Sequence, residues 1–176
     1  MLPPKLAEIR DGIEANRKVT LEMVSGLSGE EFAFRDEGEW SVADVLEHLV
    51  AAETGTSKVI RKVIKESGGT LPPYPEDDSD VAVRPFSFPP GKVQAPEAAK
   101  PRGGKGKEEL LDLAARARVQ TLLSLAMLSE VDPRSARFPN ALFGDLTLYE
   151  WAYMILLRHE RDHHPQIERI LRKLGK

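Results

Sequence analysis

The chain has 176 residues, 30% of them charged, with no cysteine and a formal net charge of -3 at pH 7. That balance gives no electrostatic reason to expect a nucleic-acid or acidic-membrane partner, and no run of about 20 apolar residues is present to span a bilayer. Without cysteine there is no disulfide, thiolate zinc site or cysteine nucleophile, so any metal must be held by histidine and carboxylate.

One domain covering residues 1–176 is expected at this length. The first residues, Met1–Glu8, lack the charged-then-apolar pattern of a signal peptide, so the expected compartment is the cytoplasm. From Pro3 or Pro4, Leu6, Ile9, Ile13, Val19 (or Asn16), Leu21 and Val24 recur at near-helical spacing and predict a first helix ending near Ser25 and Gly26. Glycines and turn formers then break the pattern, and Phe32, Phe34 and Trp40 are expected to cover the end of a bundle.

Ser41-Val42-Ala43-Asp44 is an acidic capping box, which starts a second long helix running to about Ser67. Its apolar face is Val42, Val45, Leu46, Leu49, Thr56, Ile60, Val63 and Ile64. Glu53 falls near the middle of that face. His48 falls on its edge beside Ala52 and Val59, where a wheel alone leaves it half exposed.

From about residue 69 to 107 the helical pattern disappears, and eight of the 13 prolines fall there, which reads as a long crossover loop with a mobile part. The run Arg102-Gly103-Gly104-Lys105-Gly106-Lys107 lacks the spacing of a phosphate loop and follows no strand, so it reads as a solvated basic turn. A third helix is predicted from Glu108 to about Ser129 on Leu110, Leu111, Leu113, Ala114, Ala117, Leu122 (with Thr121), Leu125 and Leu128. Residues 138–146 read as a loop. Thr147, with Glu150 three residues on, caps a final helix. With no sustained strand alternation and no evident repeat, the fold class is all-α, a four-helix bundle with the long crossover between its second and third helices.

Three of the four histidines lie within His159–His164, and the fourth is His48. On the last helix Leu148, Ala152, Ile155, Ile167, Ile170 and Leu174 share one side, and His159 and His163 lie in the same row, while His164 projects almost oppositely. Residues four apart rise about 6 Å along the axis, so two imidazoles on one face can converge on an ion. Ordinary core histidines with hydrogen-bonded nitrogens suit the same spacing. A third ligand would decide, and His48 can supply it only if the second and fourth helices are neighbours.

Trp40-Ser41-Val42-x-x-Val45-Leu46-x-His48-Leu49, together with Leu146-Thr147-Leu148-x-x-Trp151 and His159-x-x-x-His163-x-x-Gln166-Ile167, resembles the DinB-like family of metal-binding four-helix bundles. The resemblance implies a DinB-type bundle, frequently dimeric, with a three-histidine site of His48, His159 and His163 for zinc, nickel or iron. Counting back from Gln166 selects His163 over His164, in agreement with the wheel. Pro165, inside the helix, removes an amide donor and predicts a local kink.

The remaining polar residues carry two readings each. Glu53 is a candidate catalytic residue, as a fourth ligand or proton carrier, and is equally placed to pair with an arginine or lysine of the bundle. Asp162 and Gln166 project inward and would orient imidazole N–H groups, or else make helix-surface salt links. For Asp44 a plain salt link is favoured, and for Trp40 and Trp151 packing.

Three neutral ligands leave a metal charged and open at one position, as in catalytic sites. Assigned members of the resembled family are largely thiol-dependent transferases and isomerases. The expected function is therefore metal-assisted S-transfer from a low-molecular-weight thiol to a small-molecule electrophile, with Glu53 or water taking the thiol proton. Metal-dependent hydrolysis is the alternative chemistry, and a metal-bearing stress or interaction protein the non-enzymatic one. Metal affinity is expected to fall as pH drops through and below about 6.5, the reference histidine value.

Overall fold

The computed structural model describes residues 1–86 and 94–176, so part of the crossover segment, residues 87–93, lies outside the described residues. Three of the long helices are α1 (Pro4–Ser25), α3 (Val42–Glu66) and α4 (Lys107–Leu128). A short α2 (Gly29–Ala33) links the first two. The fourth long helix is composite: α5 (Leu148–Trp151), a π-helical stretch Ala152–Arg158, and α6 (His159–Lys173), in continuous succession. The protein is a four-helix bundle in which α3 lies against both α4 and α6, and α1 against α4 and the last helix.

The start signals behave as the sequence predicts. Ser41 Oγ accepts from the Asp44 amide while Asp44 accepts from the Ser41 amide, and Thr147 and Glu150 repeat the arrangement at α5. Each such pair satisfies two of the amides that a helix start leaves open. A third capping box, Ser28 with Glu31, starts α2 in a stretch whose glycines read as a break; that helix buries Phe32, while Phe34 stays exposed.

The first helix does not bury all the residues its spacing suggests. Leu6, Ile9, Ile13 and Val24 are inside, but Val19 and Leu21 are exposed, and Arg17 and Thr20 occupy the inward slots. Likewise on α4, Leu122 is exposed while Arg118, Thr121 and Ser124 are buried. These polar residues divide the core into two apolar clusters. One is built around Leu6, Ile9, Ile60, Leu125 and Leu148, the other around Val45, Leu46, Leu110, Ala114 and Ile167.

The stretch read as a loop before the last helix is a hairpin, β1 (Arg137–Asn140) antiparallel to β2 (Gly144–Thr147). Asn140 Oδ1 accepts from the amides of Leu142 and Phe143, and Gly144 takes a φ of 68°, the left-handed residue that a three-residue hairpin loop needs. Strands of four residues, one of them containing Pro139, are too short to show alternation. The last helix continues as α-helix through Pro165, and its irregularity lies upstream in the π-helical stretch. There α1 approaches closely: a Cβ on Gly12 would sit 2.3 Å from Leu157 Cδ1, and Asn16 Nδ2 donates to the Leu157 carbonyl at 2.7 Å.

Candidate metal centre

Because α3 and α6 are neighbours, the condition for His48 to join the histidine pair is met. His48 Nε2 lies 3.0 Å from His159 Nε2, which lies 3.1 Å from His163 Nε2, and one ligand atom from each of the three residues falls within 4.8 Å of the others. His48 is buried, not half exposed, because the crossover segment folds over it, while His159 and His163 are half-buried.

Two of the rings are oriented by their other nitrogen. His48 Nδ1 is 2.7 Å from the Ala99 carbonyl, an acceptor only, so that nitrogen carries the proton and Nε2 keeps its lone pair. His163 Nδ1 donates to Gln166 Oε1 at 2.7 Å, with the same result. His159 Nδ1 is buried without a hydrogen-bond partner among the described residues. Whichever nitrogen of His159 holds its proton, the cluster has more lone pairs than hydrogens facing one another. Burial disfavours protonation as a remedy. It pushes His48 down to about 4 against the pull of the Ala99 carbonyl, with His163 adding repulsion; it pushes His159 down to about 3, helped by His163 and His48, and lowers His163 as well. Nitrogens about 2.0–2.1 Å from a tetrahedral ion stand about 3.3 Å apart, so the donor set and its spacing fit a divalent metal.

The crossover segment positions His48. Glu47 Oε2 accepts from the amides of Arg102 and Gly103 at 3.1 and 2.9 Å, and its other oxygen pairs with Lys105. Burial opposes ionisation of Glu47, but Lys105 and these amides outweigh it and hold the carboxyl below its usual range. The basic turn read as solvated is thus a clasp on the residue next to His48. It holds in place the 3₁₀ turn Glu97–Ala99, whose last carbonyl meets the imidazole.

The histidines open onto a cavity of about 760 Å³ between α3, the hairpin loop and the last helix. Trp40 packs on His48, with ring centres 5.0 Å apart, and Trp151 Nε1 donates to the Phe138 carbonyl; both tryptophans also line the cavity. Gln166 orients a histidine as the sequence suggests. Asp162 accepts from Arg158 Nε at 3.0 Å across one helical turn, which is the salt-link alternative. Asp44 is more than a surface link, being buried, capping Ser41 and paired with Arg35.

Glu53 is turned away from the histidines. Its oxygens accept from Arg17 Nη2 and Arg118 Nε at 2.8 Å and from Thr121 Oγ1 at 3.0 Å, the arginine-partner alternative. Glu160, adjacent to His159, receives Arg17 Nε and Thr20 Oγ1 at 2.8 Å and Arg118 Nη2 at 3.4 Å. His164, read as a surface residue, faces α1, with Nε2 3.0 Å from Thr20 Oγ1. Sequence reasoning overlooked this cluster, although a signal was present: Ile13, Arg17, Thr20, Val24 and Ala114, Arg118, Thr121, Leu125 place Arg-x-x-Thr at the same spacing in two apolar rows.

These features define a histidine-bearing helical bundle with a cavity at its metal-compatible cluster. The chain belongs to the DinB superfamily, whose family model matches residues 13–167. Among solved structures it is similar to TT2238, a four-helix bundle protein, at 22% identity over 93% of this chain and 98% of that one, with a TM-score of 0.62. At that identity the likeness concerns the fold. No curated protein matches the sequence. Among the described residues no helix is long and apolar enough to cross a membrane.

Proposed function

We propose that His48, His159 and His163 hold one zinc, nickel or iron ion, and that the protein is a metal-dependent enzyme of the thiol S-transferase type. The observation that carries this reading is the convergence of three Nε2 atoms, two with their tautomer set from behind, at the end of a cavity. An ion held by three neutral imidazoles keeps its charge and an open position, and supplies Lewis acidity that favours the ionised form of a thiol.

The chain's own residues do the rest. Ala99 and Gln166 hold His48 and His163 in the ligating tautomer, and the apolar cavity walls place an electrophile beside the cluster. The thiol's sulfur pair forms a bond to the electrophilic carbon, whose leaving group departs with the electrons of the broken bond. Because Glu53 is committed to Arg17 and Arg118, water at the cavity mouth accepts the thiol proton. We also infer a cytoplasmic homodimer. Its supporting feature is an exposed stripe on α4, Val119, Leu122, Leu123 and Met127, at helical spacing, and the mass in solution tests it.

The experiment is metal analysis of untagged protein purified without chelators, followed by turnover assays. About one ion per chain is expected, lost in His48→Ala and His159→Ala, together with thiol-dependent consumption of an electrophile. Failure to rebind added zinc or nickel overturns the site. Hydrolysis of esters or amides without thiol replaces the transferase reading with a hydrolase, and metal binding with no turnover on any substrate leaves a metal-bearing interaction protein.

A further inference from the structure

Gly55 occupies the middle of α3, where glycine is less stable than alanine because it loses more backbone freedom on folding. Neither usual reason for a helical glycine applies. Its φ is not positive, and a Cβ built on it meets nothing within 4 Å, so among the described residues no neighbouring element needs the room. What Gly55 does face is the cavity, in a floor that it shares with Ala51 and Ala52. Leu142 and Phe143 of the hairpin loop, and Trp151 and Ile155 of the last helix, are among the other lining residues.

Among the described residues, the cations that line this cavity are already matched. Arg158 pairs with Asp162 at 3.0 Å, Arg169 with Glu39 at 3.8 Å and Lys100 with Glu97 at 2.6 Å. An anionic ligand would have to compete with a carboxylate for each of these cations, whereas an uncharged one leaves them undisturbed and gains from the apolar walls.

From the open floor, the aromatic walls and the matched charges together, we infer that the cavity is a binding slot for a neutral, largely apolar ligand carrying a flat aromatic group, and that Gly55 sets its depth. This rests on the reading of the cavity as the substrate site and gives the class of electrophile it takes. Ala51, Ala52 and Gly55 leave a shallow channel along α3 for a ring, and any larger side chain at Gly55 projects into that space.

Two dyes with one skeleton test this: neutral N-phenyl-1-naphthylamine and its sulfonated counterpart, 1-anilinonaphthalene-8-sulfonate. Fluorescence titration of the intact chain is expected to show one site for the neutral dye, with the sulfonate binding at least tenfold more weakly. Gly55→Phe is expected to weaken the neutral dye at least tenfold. Circular dichroism and thermal melting of this variant beside the wild type serve as the folding control.

Equal or tighter binding of the sulfonate overturns the inference, as does unchanged dye affinity in a folded Gly55→Phe variant. Zinc titration of the same samples keeps the two readings apart. Absence of zinc binding in the wild type overturns the metal site, whereas normal zinc binding without dye selectivity overturns the slot.

Discussion

Two polar clusters lie side by side in the bundle, one of arginine and glutamate and one of histidine, and they are built on opposite terms. Arg17, Arg118, Glu53 and Glu160 are 7, 8, 6 and 4% exposed, two cations against two anions, and each carboxylate also takes a threonine hydroxyl. The leftover guanidinium N–H groups reach the carbonyls of Ala114 and Ile13. That cluster closes on itself and ties together all four long helices. The histidine cluster gathers more lone pairs than the described residues have hydrogens to satisfy. Buried polar groups are ordinarily paired, so the completed cluster reads as architecture and the incomplete one as a place for something the chain does not supply.

The contrast is sharpest under truncation. Arg118→Ala leaves the buried Glu53 and Glu160 to share Arg17 alone, an excess negative charge in the core, and is expected to cost about 3–5 kcal/mol, the usual penalty for breaking a buried ion pair on one side. His159→Ala in metal-free protein removes a ring with an unpartnered nitrogen and is expected to cost about 1 kcal/mol or less. Urea unfolding of both variants checks this, and equal losses would erase the distinction between the clusters.

Acid should separate them next. His48 and His159 are held down to about 4 and about 3 by burial, below the ordinary 6.5 of the unfolded chain. Between those values the unfolded chain binds more protons, so their contribution to stability is whole above pH 6.5 and is lost as pH falls toward 4 and 3. Unfolding free energies of the metal-free protein at pH 7 and 4.5 should therefore fall more steeply for wild type than for the His48→Ala, His159→Ala double variant. The same depression, which His163 shares, moves proton competition with the metal lower than the reference histidine value, so zinc affinity in the folded protein should begin to fall at a lower pH than an ordinary imidazole would give.

A smaller effect is expected at the clasp. Glu47→Gln removes the charge that holds the Arg102 and Gly103 amides and Lys105, freeing the turn that orients His48. Zinc affinity should drop roughly tenfold, the lower end for residues that orient a ligand, with a change in the His48 ring ¹⁵N shifts of the metal-free protein. An unchanged affinity and spectrum would show that Ala99 needs no clasp. Smallest is Asn16→Ala, which removes the side-chain donor to the Leu157 carbonyl of the π-helical stretch and should cost about 1 kcal/mol by thermal melting.

Much of the bundle was legible in the residues because its signals are local. Ser41 with Asp44 and Thr147 with Glu150 mark helix starts within four positions, and the aliphatic rows mark the helices that follow. The candidate metal residues were legible for a related reason: His159 and His163 share a row through spacing alone, and the tryptophan-serine motif tied His48 to them. The hairpin escaped because its strands are four residues long, and the charged cluster because arginine in an apolar row reads as a helix edge until a carboxylate from another helix is seen against it.

By itself, then, the sequence determined where the helices begin, which faces are apolar and which imidazoles share a helix side, since capping and periodicity are properties of neighbouring residues. Only the tertiary structure decided that Glu53 belongs to the arginines, that His164 turns to Thr20, and that Glu47 and Ala99 secure His48. Those assignments depend on which side chains from distant segments arrive first at each buried donor and acceptor, and no spacing along one helix encodes that.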